Sequence, residues 1–199
     1  PCVSVREWRD AVCGGQRPAS TSARSRSPAC SSISCSPTLC WQIRDGYQDA
    51  GGCVLIVGAR PSFINVDLYN CSASSVNSLS LTAAGGGGAV HVNGATAHPT
   101  FHGCMIRNST SFSFYGGGGL RVQSSGHATV YDTTIMGCTA PANGAGVSMS
   151  YGSDAASGTF TRCHFVENVA TGTGSGGGMS VEGAGVVVVC NSSFVRNKG

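Results

Sequence analysis

Residues 85–109 read GGGGAVHVNGATAHPTFHGCMIRNS. After the glycines, Val90 and Val92 alternate with His91, the period of a strand whose two faces differ. Asn93-Gly94 then marks a turn, and Phe101, Cys104, Ile106 and Ser109 follow at offsets zero, three, five and eight of a second element. Residues 63–71, 130–138, 160–168 and 189–197 repeat those offsets. The first offset holds Phe63, Phe101, Val130, Phe160 and Val189, and the fifth holds Leu68, Ile106, Ile135, Phe165 and Phe194. These ten residues are the expected core. Offset three carries Val66, Cys104, Thr133, Cys163 and Ser192, and offset eight carries Cys71, Ser109, Cys138, Asn168 and Asn197. Successive copies start 38, 29, 30 and 29 residues apart, so one copy carries an insertion, assigned to the Ser-rich residues 72–80.

Outward from this element, a Gly-led apolar stretch precedes each copy: Gly52-Cys-Val-Leu-Ile-Val57, Gly88-Ala-Val-His-Val92, Gly119-Leu-Arg-Val122, Gly146-Val-Ser-Met149 and Gly178-Met-Ser-Val181. The second copy is ambiguous at Ala89, because a shift by one residue points Val90 and Val92 inward. No unit can bury its apolar side alone, so a fixed period near thirty residues predicts stacking. Coils stacked at the ~4.8 Å strand spacing pair each backbone with the coils above and below, and five coils stand about 24 Å tall. The glycine runs 85–88, 116–119 and 176–178 then fall at one corner, where backbones approach closely. The fold class expected is all-β, a parallel β-helix of about five coils over residues 51–199, with residues 1–50 as a Cys/Ser/Arg-rich cap or extension.

Gly-Gly-Gly-Ala-Val-His-Val with Phe-His-Gly-Cys-Met-Ile-Arg-Asn, and Gly-Gly-Met-Ser-Val with Cys-Asn-Ser-Ser-Phe-Val-Arg-Asn, resemble the repeats of right-handed parallel β-helix proteins. Within the pectate-lyase-like superfamily the chain is most similar to the polymorphic-outer-membrane-protein type, with its Gly-Gly-Ala-Ile and Phe-x-x-Asn elements. The resemblance spans about residues 51–199 and speaks to fold rather than chemistry. It implies an inward Asn ladder at offset eight, which Asn168 and Asn197 match and Cys71, Ser109 and Cys138 do not.

Composition sets the wider frame. Among 199 residues 11% are charged and 30 are glycine, which disfavours long amphipathic helices. The net charge of +3 is too small for nucleic-acid binding, and the longest apolar run, residues 186–190, is far short of the ~20 residues that span a bilayer. Eleven cysteines without a C-x-x-C pair fit an oxidising, secreted or cell-surface location better than zinc or redox chemistry. The odd count leaves one thiol without an internal partner, and a start at Pro1 without Met or an apolar leader reads as a matured product or a fragment. Residues 1–50 contain both tryptophans and five cysteines. They form either a disulfide-tied cap, with Trp41 and Ile43 over the first coil, or a mobile loop over 14–38.

Candidate chemistry is sparse. The superfamily's lyases use clustered carboxylates, but Asp67, Asp132 and Glu167 sit at offsets four, two and seven, and Asp154 and Glu182 fall in turns, so no carboxylate pair stacks on one face. His91, His98, His102, His127 and His164 have irregular spacing, and no metal or other cofactor is expected. Cys104 and Cys163, and Cys71 and Cys138, share an offset only two coils apart, ~10 Å, beyond disulfide reach. They are therefore read as small core residues, and Cys2, Cys13, Cys30, Cys35 and Cys40 as the disulfide candidates. Sequons at Asn70, Asn108 and Asn191 are possible N-glycosylation positions. Thr159/Thr161 and Thr171/Thr173 do not recur at the coil period, so no flat threonine array is expected.

The function expected is a non-catalytic, secreted or cell-surface structural or adhesive module, part of a larger protein or assembly. Its contacts are made through the open ends of the stack, where a coil edge at the fifth Phe-Val-Arg-Asn element, residues 194–197, leaves amides to pair with another chain. The alternative is a carbohydrate-binding or polysaccharide-cleaving β-helix, with Tyr47, Tyr69, Tyr115, Tyr131 and Tyr151 as stacking platforms.

Overall fold

The computed structural model describes residues 32–34, 41–74, 86–113, 115–149, 155–172 and 176–199. Apolar alternation, broken every few residues by Gly or Asn, makes every element a short strand. The first coil comprises β1 (Ser32–Ser34), β2 (Trp41–Arg44), β3 (Tyr47–Gln48) and β4 (Val54–Val57). The second comprises β5 (Ser62–Ile64), β6 (Val66–Tyr69), β7 (Ser72–Ala73) and β8 (Val90–Asn93). Next come β9 (Thr100–His102), β10 (Met105–Arg107), β11 (Thr110–Ser111) and β12 (Leu120–Gln123), then β13 (His127–Tyr131), β14 (Thr134–Met136), β15 (Thr139–Ala140) and β16 (Val147–Met149). The fifth coil is β17 (Ser157–Thr161), β18 (His164–Val166), β19 (Val169–Ala170) and β20 (Met179–Val181), and the last strands are β21 (Val186–Cys190) and β22 (Ser193–Val195).

Each strand pairs in parallel with its counterpart in the neighbouring coils, giving four sheets among the described residues. Sheet 1 runs β1-β5-β9-β13-β17-β21, sheet 2 β2-β6-β10-β14-β18-β22, sheet 3 β3-β7-β11-β15-β19 and sheet 4 β4-β8-β12-β16-β20. The stack begins earlier than the repeat suggested: Trp41 pairs in register with Val66 and Ile43 with Leu68, and both pack against the core from below. Ser72 and Ala73, assigned above to the insertion, are instead β7 and pair with Thr110 and Ser111. Their alternation matches that of the neighbouring copies, which a Ser-rich composition had obscured. Residues 75–85, most of the expected insertion, lie outside the described residues.

The expected ladders form in register. Phe63 meets Phe101, Val130, Phe160 and Val189 in turn, and Leu68 meets Ile106, Ile135, Phe165 and Phe194. Phe63 and Phe101 stack with centroids 4.8 Å apart, and Phe165 and Phe194 with centroids 4.4 Å apart. That is the strand spacing, so the coil pitch itself places one ring on the next. In sheet 4, Val90 lies level with Val54 and Leu120, and Val90 and Val92 are both buried, which settles the ambiguity at Ala89.

The corners carry the polar accounting. At offset eight, Ser109 Oγ accepts from the Cys71 amide (3.2 Å), Asn168 Oδ1 from the Cys138 amide (3.0 Å) and Asn197 Oδ1 from the Asn168 amide (3.0 Å). Asn168 Nδ2 returns a bond to Ile135 O, and Asn197 Nδ2 one to Phe165 O. The ladder is therefore mixed in residue type, with side-chain acceptors for the Cys71, Cys138 and Asn168 amides. Offset three works in the same way: Thr133 Oγ1 accepts from the Cys104 amide and Ser192 Oγ from the Cys163 amide. Before sheet 4, Gly51, Gly87, Gly117, Gly144 and Gly176 stack with φ between 59° and 74°, a conformation glycine adopts without strain.

Candidate functional surfaces

One cysteine reading is corrected. Cys71 forms a disulfide with Cys53, with Cα atoms 5.5 Å apart, so it is not a lone core thiol. Matching offsets two coils apart are indeed out of reach, but Cys53 and Cys71 occupy different corners of adjacent coils. Cys53 sits where later coils place Ala89, Gly119, Gly146 and Gly178, immediately before the sheet 4 strand. A Cβ built on Gly119 would lie 3.3 Å from Cys138 Sγ, and one on Gly146 would lie 3.0 Å from Asn168 Nδ2. This column thus faces the inward offset-eight side chain of the next coil, and in the first coil both partners are cysteine. The geometric signal was present in the sequence but required pairing two different columns. Cys104, Cys138 and Cys163 are buried thiols, as expected, and Cys190 is an exposed one. Burial pushes the Cys138 thiol up to about 12 and raises Cys163 as well, so neither supplies thiolate near neutral pH. Cys2, Cys13, Cys30, Cys35 and Cys40 lie outside the described residues.

The acids are engaged by arginines one coil on. Arg107 grips Asp67 through Nε (3.0 Å) and Nη2 (2.9 Å), Arg162 grips Asp132 through Nε (2.6 Å) and Nη2 (2.8 Å), and Arg196 Nε reaches Glu167 Oε1 at 2.8 Å. The Arg162 hydrogen bond holds the Asp132 carboxyl below the usual range, and His102 Nε2 adds a contact at 3.2 Å. Glu182 takes a hydrogen bond from Asn143 Nδ2. Asp154 lies outside the described residues.

On sheet 1 the structure gathers histidines that looked scattered in sequence. His98 precedes β9 and stands level with His127 of β13, their rings 5.7 Å apart. His127 contacts Ser157 Oγ at 2.8 Å and Thr129 Oγ1 at 3.2 Å, and burial together with the charge of His98 lowers its pKa. His102 meets Tyr131 edge to face. Between these two columns Ser62, Thr100, Thr129 and Thr159 form one file of hydroxyls, a single recurring column that reading Thr-x-Thr pairs alone had missed. His164 lies apart, on sheet 2, against Ser193. Among the described residues, no three His, Cys, Asp or Glu side chains are placed to hold a metal.

Sheet 4 differs because its outward column is covered. Leu55, His91, Arg121, Ser148 and Ser180 stand in one file, and His91, Arg121 and Ser148 are buried. Arg121 Nε donates to Gln123 Oε1 (2.8 Å), Nη1 donates to Tyr115 O, and the guanidinium lies over the Tyr115 ring. Ser148 Oγ donates to the same carbonyl at 2.7 Å. The segment carrying Tyr115 is thereby fastened to the outside of the sheet. His91 is 1% exposed, and neither ring nitrogen makes a hydrogen bond. Burial first and the Arg121 charge second push its pKa down to about 3, against a smaller opposing contribution from the Gln123 side chain. Sequence alternation could not reveal this face, because its cover comes from a corner segment that does not repeat.

The sequon asparagines occupy exposed outer corners with positive φ: Asn70 (54°), Asn108 (50°) and Asn191 (50°). Tyr47 is exposed, Tyr69 carries the Arg107 guanidinium over its ring, and Tyr151 lies outside the described residues; the tyrosines do not assemble into one platform.

No helix among the described residues is long and apolar enough to cross a membrane. No curated protein and no solved structure matches the chain. Residues 47–199 match the family described as the right handed beta helix region, and the chain belongs to that family.

Proposed function

We propose that this β-helix is a non-catalytic structural or adhesive module, secreted or held at a cell surface, which makes its contacts through the ends of its stack. The observation that carries the reading is the last coil. Val189 and Phe194 extend ladders whose members Phe63, Phe101, Phe160 and Phe165 are fully buried, yet they are 38% and 50% exposed, and Val186, Val188 and Val195 are exposed beside them. Such a surface matches a further coil of β-strands with the same apolar columns, whether from this chain or another. The engagement of Asp67, Asp132 and Glu167 by arginine supports a scaffold role, because those carboxylates already serve the corners. The disulfide supports an oxidising location. Sedimentation of the wild-type chain should show association that rises with concentration and is lost in Val189→Asp/Phe194→Asp. A wild-type monomer at every concentration, with a disordered last coil, counts against the proposal.

The file of hydroxyls flanked by His98, His127, His102 and Tyr131 on sheet 1 favours a second reading, a carbohydrate-binding or carbohydrate-cleaving face. A glycan array combined with an assay for uronate release separates the two. Binding or cleavage supports the second reading, and neither leaves the scaffold.

A further inference from the structure

The two outer corners that flank sheet 2 are occupied by residues with positive φ in every described coil. Between sheets 2 and 3 the column runs Asp45, Asn70, Asn108, Gly137, Glu167 and Arg196; between sheets 1 and 2 it runs Asn65, Gly103, Asp132, Arg162 and Asn191. Asn and Gly are favoured in this conformation, so a sequon here can arise from backbone geometry alone. All three sequon asparagines stand on these corners, and their side chains are paired differently once the coils have closed. Asn70 Nδ2, the atom a glycan would occupy, donates to Asp45 Oδ1 at 2.7 Å, and Arg196 turns back to Glu167 in the same column. Asn108 lies between these two pairs. Its amide makes no side-chain hydrogen bond among the described residues, and its Oδ1 lies over Gly137, where an added Cβ would come within 2.6 Å. In the other column Arg162 turns back to Asp132, away from Asn191, whose amide is likewise uncommitted among the described residues.

We infer that Asn108 and Asn191 are the N-glycan acceptors of this chain and that Asn70 is not. The co-reactant is a lipid-diphosphate-linked oligosaccharide. The Asn Nδ2–C1 bond forms, the C1–O bond to the diphosphate breaks, Nδ2 loses a proton and the lipid diphosphate leaves. Transfer occurs before the coils close, because in the folded protein the sequon hydroxyls are engaged: Thr110 Oγ1 with Thr139 Oγ1 (2.9 Å) and Ser193 Oγ with His164 Nδ1 (2.8 Å). Timing, and not folded-state pairing, separates Asn70 from the other two. The middle residue of its sequon is Cys71, whose partner Cys53 lies 18 residues earlier and is already available when Cys71 appears. Disulfide closure then competes with transfer at Asn70. Glycans at Asn108 and Asn191 would stand at opposite edges of sheet 2.

The inference rests on the secretory setting proposed above. Supplying a cleavable leader in a eukaryotic secretory host tests acceptor choice separately from the contacts at the coil ends. Enzymatic deglycosylation in heavy-oxygen water followed by peptide mapping should label Asn108 and Asn191 and leave Asn70 unlabelled. Asn108→Gln and Asn191→Gln should each remove one glycan mass, and the double variant should remove all of it. Cys53→Ser should admit a glycan at Asn70, a readout on peptides that needs no folded yield. Label at Asn70 in the wild type, or none at Asn108 and Asn191, overturns the inference.

Discussion

His91 stands against Arg121 with both ring nitrogens unbonded, a side chain the fold tolerates only uncharged. Its folded pKa, about 3, lies below the ~6.5 of an unfolded histidine, so between those values the unfolded chain binds the proton more readily. Stability associated with the neutral ring is complete above pH ~6.5 and declines as pH falls toward 3. At pH 4 the loss amounts to about 3 kcal/mol at ~1.4 kcal/mol per pKa unit. His91→Gln should remove most of this slope, measured as urea-unfolding free energy from pH 7 to pH 4; an unchanged slope would place the proton uptake elsewhere. Sequence alternation left the facing of His91 open, and it could not mark the residue as buried on the outer face, since that burial depends on the Tyr115 segment, whose position no repeat specifies.

At the scale of elements, register was the most legible property. Phe101, Val130, Phe160 and Val189 recur every 29 or 30 residues, with Phe63 set 38 residues before them, and only one pairing of strands keeps this column and that of Leu68, Ile106 and Phe165 inside together. The corner pairings were less legible, because they join unlike columns: Cys53 with Cys71, Gly146 with Asn168, Arg162 with Asp132. Sheet 1 concealed its file of hydroxyls for a related reason, as the aligned residues are Ser62, Thr100, Thr129 and Thr159 rather than a repeated motif. The column logic makes a direct prediction. Ala89 and Ser109 bear the relation of Cys53 and Cys71 one coil later, and both positions already carry a Cβ. Ala89→Cys/Ser109→Cys should close a second staple, seen as two fewer titratable thiols under denaturing, non-reducing conditions. For a loop of about twenty residues, its stabilisation is about 3 kcal/mol; two unoxidised thiols would refute the equivalence of the columns.

The whole molecule is a one-dimensional stack in which each coil touches only its neighbours, so the cost of a defect depends on its height. Phe160 lies between Val130 and Val189 and is fully buried, whereas Phe194 is half exposed. Phe160→Ala should cost about 3–5 kcal/mol, and Phe194→Ala less than half of that, read from the midpoints of urea unfolding. Equal costs would mean that the last coil is covered in solution.

The four corners differ in how much they vary. The links from sheet 1 to sheet 2 and from sheet 2 to sheet 3 stay short along the stack, while that from sheet 3 to sheet 4 is long between β7 and β8 and short between β15 and β16, with register kept on both sides. Chain length can therefore change along this one margin without moving the strands that flank it. Foreign peptides grafted between β7 and β8 would be presented in a row with any grafted between β15 and β16, two coil pitches apart, which makes the margin a display rack of fixed spacing.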